Sequence, residues 1–270
     1  MKIAFIGGGN MATALIAGLA KEASAEHRFH VVDPNADALA RLAAEYGVGT
    51  APAIDGELAA VDVIVLAVKP QQMREVAAQL APHLGSQLVL SIAAGIRSAD
   101  LSRWLGGYKA IVRAMPNTPA LIRQGITGMV AMPGVSEGQR GAADAVLRAV
   151  GQTVWLDDEA LIDPVTAVSG SGPAYVFYFL EAMQAAASEM GLSPEQGRQL
   201  ALATFAGATQ LAAQSSESLD VLRQRVTSKG GTTHAAISSM EAAGVKAAIV
   251  DAMKAAAARG RELGDELGAA

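Results

Sequence analysis

Residues 2–19, KIAFIGGGNMATALIAGL, constrain the fold of this chain more than any other stretch. Four apolar residues run into three glycines, and a small-residue helix pattern follows at once. A strand that ends in bare backbone and turns straight into a helix is the start of a strand–helix–strand unit. Gly7, Gly9 and Ala12 occupy the three small-residue places of a dinucleotide fingerprint. The first gives the tight turn, the second lets backbone approach a pyrophosphate, and the third packs helix against strand. A helix beginning near Asn10 aims its free N–H groups and positive dipole end at phosphate. The next strand ends in Asp33, about 20 residues after the third small position, where a carboxylate meets ribose hydroxyls. Asp33 has two readings. It can accept from both adenine-ribose hydroxyls and repel a 2′-phosphate, which favours NADH. With Pro34 it can equally start a turn or cap the next helix. Arg41 lies about two turns along that helix, and reads either as a cation that reaches a phosphate or as an ordinary exposed helix arginine.

Apolar or β-branched runs recur at 3–6, 29–33, 63–68, 88–92 and 110–114, and more weakly near Met129 and at 153–156. Helical patterns at 11–23, 36–46 and 71–80 lie between several of them. Strand and helix alternating at this spacing imply right-handed crossovers and a parallel sheet. The all-apolar run VIVLAV (63–68) suits a sheet covered on both faces. Beyond WLDDEALID (155–163) the pattern becomes helical. Pro173 follows SGSG and sits well in the first turn of a helix running toward Met190. GLSPEQ (191–196) supplies a stop, a Ser193 cap and a proline start for a helix reaching about Gln214. A turn and helix follow over 228–244, and a last helix over about 245–263. Ala-rich helices of this kind make good dimer surfaces. The expected fold is therefore α/β. A Rossmann-type doubly wound parallel sheet fills 1–160, and an all-α domain for dimerisation and substrate binding fills 161–270.

Composition narrows the function classes. The net charge of -5 argues against nucleic acid and anionic membrane as partners. The chain has no cysteine, so it has no disulfides, no thiolate nucleophile and no Cys-ligated metal. The four histidines never cluster, and no metal site is expected. No apolar run approaches a membrane span, and the strand and glycine turn begin too early for a leader peptide, so a cytoplasmic location is expected.

Three further stretches carry chemistry. AVKP (67–70) and SIAAG (91–95) end successive strands, where the ligands of parallel sheets sit. Lys69 precedes a proline and is held extended, which suits positioning better than proton transfer. RAMPNTPALI (113–122) places Asn117 and Thr118 in a stiff loop after a strand, able to bond a nicotinamide or substrate, or simply to make a rigid turn. VTSKGGTTHAAI (226–237) offers backbone N–H groups from Gly230 to Thr233 at a helix start, with Ser228, Thr232 and Thr233 as neutral hydroxyls. This is either an anion nest for a small carboxylate or a glycine turn with a threonine cap. His234 reads as structural. No Ser-His-Asp set, Walker sequence or Tyr-Lys base is present, and hydride transfer to an activated carbon needs little acid–base help.

FIGGGNMA, LAVKP, SIAAG, RAMPNTPA, SGSGPAYVF and SKGGTT occur in that order. Together they resemble the pyrroline-5-carboxylate reductase family, from Met1 to the last helix. The resemblance implies reduction of 1-pyrroline-5-carboxylate to L-proline with NADPH or NADH, the last step of proline biosynthesis, by a homodimer that can assemble as a decamer of five dimers. Carried over by position, it implies that Ile6, Gly7, Gly8, Gly9, Asn10, Met11, Ala12, Ala67, Val68, Lys69, Pro70, Ala93 and Ala94 hold the dinucleotide. It implies that the amides of Gly231, Thr232 and Thr233 hold the substrate carboxylate, that the Thr233 hydroxyl meets the ring nitrogen, that Ser228 lines the pocket and that Glu159 lies near the substrate. Two departures stand out. Asp33-Pro34 replaces the Ser or Asn followed by Arg that often meets a 2′-phosphate, and Arg225 stands where some relatives have a polar amide. The competing readings are a related imine or hydroxyacid reductase, and a nucleotide-binding regulator without catalysis. The helix after Pro173 has no lysine, which disfavours the hydroxyacid enzymes.

Overall fold

The computed structural model describes residues 1–21 and 27–269. The first half runs β1 (Lys2–Ile6), α1 (Asn10–Ala20), β2 (Arg28–Val32), α2 (Ala36–Tyr46), β3 (Gly49–Ala51), β4 (Val63–Leu66), α3 (Met73–Leu80), β5 (Leu88–Ser91), α4 (Ser98–Trp104), β6 (Ile111–Met115), β7 (Gly125–Ala131), α5 (Glu137–Arg148) and β8 (Gly151–Trp155). The second half is helical: α6 (Ile162–Val165), α7 (Gly172–Glu189), α8 (Pro194–Gln214), α9 (Leu219–Arg225), α10 (Thr232–Ala242) and α11 (Val245–Ala269).

The eight strands form one sheet in the order β3-β2-β1-β4-β5-β6-β7-β8. The first six follow the Rossmann order, with the switch point between β1 and β4. All neighbours pair in parallel except β6 and β7, which are antiparallel. The physical reason for this departure from an all-parallel sheet is length. Residues 116–124 join β6 to β7, too few for a crossover, which needs about a dozen residues.

Strand alternation assigns the two faces. Ile3, Phe5, Val63, Val65, Leu88 and Leu90 pack with Leu15, Leu19, Leu42 and Leu147 of α1, α2 and α5 on one side. Ala4, Ile6, Ile64, Leu66 and Val89 pack with Met73, Leu80 and Leu101 of α3 and α4 on the other. Both sets are buried, which is why β4 reads as an unbroken apolar run.

The chain divides into two compact units, Met1–Ser171 with Ala255–Ala270, and Gly172–Lys254. The first unit therefore extends past the expected 160/161 boundary, because α6 packs on β6 and β7. It also takes back the end of the chain. Arg97 pairs with Asp265 at 2.7 Å and donates to the Arg261 carbonyl at 3.2 Å, and Arg103 donates to the Gly268 carbonyl. The last helix accordingly runs to Ala269 rather than stopping near Leu263. Helix α1 ends at Ala20, and the expected extension to Ala23 lies outside the described residues. Helix α5 had no counterpart in the sequence reading, although Ser136 and Gln139 form a full capping box at its start.

Candidate functional site

At the carboxyl end of β1, Gly7 adopts φ +102° and donates its N–H to the Val32 carbonyl at 2.8 Å. A Cβ on Gly7 would lie 2.7 Å from the Ala67 carbonyl oxygen, so the turn at β1 closes directly on the end of β4. The Ala67 N–H returns to the Ile6 carbonyl at 2.8 Å. Gly7 is thus demanded by the chain itself. Gly9 is not: a Cβ there would meet nothing within 4 Å. Gly9 is the N-cap of α1 with no side-chain cap, so the first N–H groups of α1 keep their donors outward. Asn10 is exposed, Met11 half-buried and Ala12 fully buried against the sheet. The tight turn at Gly7 and the packing of Ala12 are those expected of the first and third small positions.

Asp33 starts the turn before α2, and the helix cap expected of it falls instead on Asn35. One carboxylate oxygen accepts the Gly8 N–H at 2.7 Å and the other accepts the Asn35 N–H at 2.8 Å. The cap of α2 is Asn35, whose side chain accepts from Asp37 and Ala38. Gly8, Gly9, Asp33, Asn35, Asp37 and Arg41 line one open cavity of about 430 Å³. Two carboxylates and one guanidinium therefore face the region where the ribose of a dinucleotide on this turn would lie. Such a turn, helix start and paired strand end fit a dinucleotide pyrophosphate and ribose.

Further along the same edge, Val68 is half-buried, Lys69 is exposed with extended backbone, and Pro70 opens a 3-10 turn. Ala93 is buried and Ala94 exposed at the end of β5. Asn117 is committed within the protein: its amide donates to the Ser169 hydroxyl at 3.2 Å, and its oxygen accepts the Ile126 N–H at 3.0 Å. These bonds are those of the rigid-turn reading of this loop. Glu159 is likewise engaged, accepting from Arg113 at 2.8 Å and from the Ser98 N–H at 2.7 Å through one oxygen. The sequence reading missed Arg113 as a participant, since nothing in spacing links it to residue 159.

In the helical unit, the loop before α10 also departs from expectation. The Gly231 N–H donates to the Ser228 carbonyl at 3.0 Å, closing a turn in which Gly230 has φ +75°. Gly231 therefore contributes no free N–H to the nest. A Cβ on Gly231 would lie 2.7 Å from the Ser228 hydroxyl, so glycine is needed for the turn to pack. Gly231 caps α10 without a side-chain cap, leaving Thr232, Thr233 and His234 at helix-start positions that have no intrahelical acceptor. Thr233 is half-buried, while Ser228, Thr232 and His234 are exposed. Arg225 pairs with Glu217 at 2.5 Å. Among the described residues, no group of His, Asp and Glu could hold a metal ion, and no helix is long and apolar enough to cross a membrane.

Fold and site together define a nicotinamide-dinucleotide oxidoreductase of the Rossmann type with a helical second unit. The comparisons with known proteins agree at each level. Residues 2–95 match the family model for NADP oxidoreductase, coenzyme F420-dependent, and residues 159–263 match that for pyrroline-5-carboxylate reductase dimerisation. The chain is 48% identical to the pyrroline-5-carboxylate reductase of Pseudomonas aeruginosa, over 99% of this chain and 98% of the relative. The solved pyrroline-5-carboxylate reductase of Coxiella burnetii superposes with a TM-score of 0.90 at 39% identity, covering 97% of each chain. The Plasmodium falciparum pyrroline carboxylate reductase with NADP bound gives 0.85 at 28% identity, covering 98% of each. The chain belongs to the pyrroline-5-carboxylate reductase family.

Proposed function

We propose that this chain reduces 1-pyrroline-5-carboxylate to L-proline with NADH or NADPH. The observation that carries this reading is full-length similarity to relatives named for that reaction, joined to a glycine turn and a helix start whose donors are both left outward. Residues 6–12, 67–70 and 93–94 hold the dinucleotide, which when bound supplies a hydride from its nicotinamide C4 to the imine carbon. The N–H groups of Thr232 and Thr233 clamp the substrate carboxylate, with the positive end of α10 behind them. The Thr233 hydroxyl orients the ring nitrogen, which is protonated from solution, so no side-chain acid is required. Ser228 shapes the pocket through its contact with Gly231. Orientation and charge complementarity provide the acceleration.

The functional unit is a homodimer built through the helical region, and a decamer of five dimers is the larger assembly this reading expects. A cytoplasmic location goes with it, where reduced nicotinamide cofactors are supplied.

The test is loss of reduced-nicotinamide absorbance with the imine, run with both cofactors. Turnover is expected with at least one, and Thr233→Ala should lower kcat/KM by about 100-fold, a typical cost of removing an orienting donor. His234→Ala should change it by less than about threefold. An unchanged Thr233→Ala rate would sink the assignment of that hydroxyl, and no turnover with either cofactor would sink the reaction.

A further inference from the structure

The loop between β5 and α4 is held from two directions. On one side stands Arg113 of β6, only 5% exposed and flanked by fully buried Val112 and Ala114. A buried guanidinium cannot shed its charge, so it requires a counter-charge at hydrogen-bonding distance. Glu159 supplies it at 2.8 Å. The same Glu159 oxygen accepts the Ser98 N–H at 2.7 Å, at the first residue of α4. Glu159 is itself placed by a 3-10 turn capped by the Asp158 side chain. On the other side lies the returning end of α11. Leu267 approaches Gly95, where φ is +73°, and Asp265 pairs with Arg97. Ala93 and Ala94, the residues that the proposed function assigns to the dinucleotide, lie in the same loop immediately before these anchored positions.

We propose that Arg113 and Glu159 are positioning residues for the dinucleotide: the pair fixes Ser98 and so sets the β5–α4 loop in its binding position. This rests on the assignment of residues 93–94 to the cofactor. It gives Glu159 a structural use in place of the substrate contact that the resemblance implies, since one of its oxygens is shared between Arg113 and Ser98. Removing Glu159 leaves a buried charge without a partner and frees the start of α4. Displacing a positioning element by about 1 Å is enough to change function by orders of magnitude.

The experiment titrates NADH and NADPH against the intact protein without imine, by nicotinamide fluorescence, and then measures steady-state KM for the imine. Glu159→Ala should raise the dinucleotide Kd by about tenfold or more, with imine KM changed by less than about twofold. Glu159→Gln should fall between, since its amide oxygen still accepts from Ser98 but no longer balances Arg113. A raised imine KM with unchanged dinucleotide Kd would place Glu159 on the substrate and overturn the proposal. If Glu159→Ala does not fold, Arg113→Met combined with Glu159→Gln decides. That pair removes both charges and keeps the acceptor for Ser98. Binding tighter than in Glu159→Gln alone supports the proposal, and binding no better overturns it. The binary titration needs no turnover, so a wild-type protein that binds dinucleotide yet fails to reduce the imine counts against the reaction and not against this role.

Discussion

The sheet unit and the helical unit are made from equally apolar sequence but close their cores differently. In the sheet unit, β1, β4 and β5 bury apolar side chains on both faces, and Phe5, Ile64, Leu66 and Leu88 are fully inaccessible. In the helical unit, α7 buries only Ala187 across 18 residues, α8 only Gly197 and Ala201 across 21, and α10 none. Phe177 is 59% exposed, Tyr178 75% and Leu211 60%. An exposed apolar surface of this extent marks an interaction face, and the match of this region to a dimerisation model identifies the interaction as self-association. One unit completes its core from its own chain, while the other leaves apolar faces for a partner to cover.

This contrast can be broken deliberately. The largest effect is expected from Phe177→Asp, which places a charge in the apolar face of α7. Sedimentation should show the dimer converted to monomer, with a loss of roughly 2–4 kcal/mol, the scale of an aromatic interface anchor. A retained dimer would mean that α7 is not part of the interface. Next comes Gly7→Ala in the sheet unit. The left-handed backbone costs about 1–2 kcal/mol for a residue with a Cβ, and the contact with Ala67 adds to it. Dinucleotide Kd should rise by at least about tenfold while sedimentation stays that of the wild-type dimer. A Gly7→Ala protein that fell apart into monomers would show that the two units do not fail separately. The smallest effect is expected from Asp33→Ser. Removing the carboxylate beside the ribose region should shift the NADPH/NADH ratio of kcat/KM about tenfold toward NADPH, with little change in assembly. An unchanged ratio would assign Asp33 wholly to holding Gly8 and Asn35.

Much of the sheet unit was legible because its signals are local. The glycine spacing and the β-branched runs each state their structure within a few residues, whereas the cap of α2, expected at Asp33, falls on Asn35. Helix α5 was equally legible through Ser136 and Gln139, and was missed because its apolar positions are diluted by glycine and alanine. The internal bonds of Asn117 and Glu159 were not legible, for a different reason. Their partners, Ser169, Arg113 and Ser98, lie tens of residues away, and a polar residue in a functional stretch looks the same whether it faces a ligand or the protein. The Gly231 N–H was misread on a smaller scale, since whether a turn closes on Ser228 depends on backbone angles that Gly-Gly leaves open.

The strand–helix alternation, the glycine turn, the helix starts at Ser193 and Thr232, and the family are each written in short-range pattern, and so were readable from the residues alone. Which carboxylate serves which donor, where the end of α11 returns, and which unit is left with uncovered apolar faces were settled by packing in three dimensions. Those outcomes depend on contacts between residues far apart in the chain, and such contacts form only once the sheet has set the distances between them.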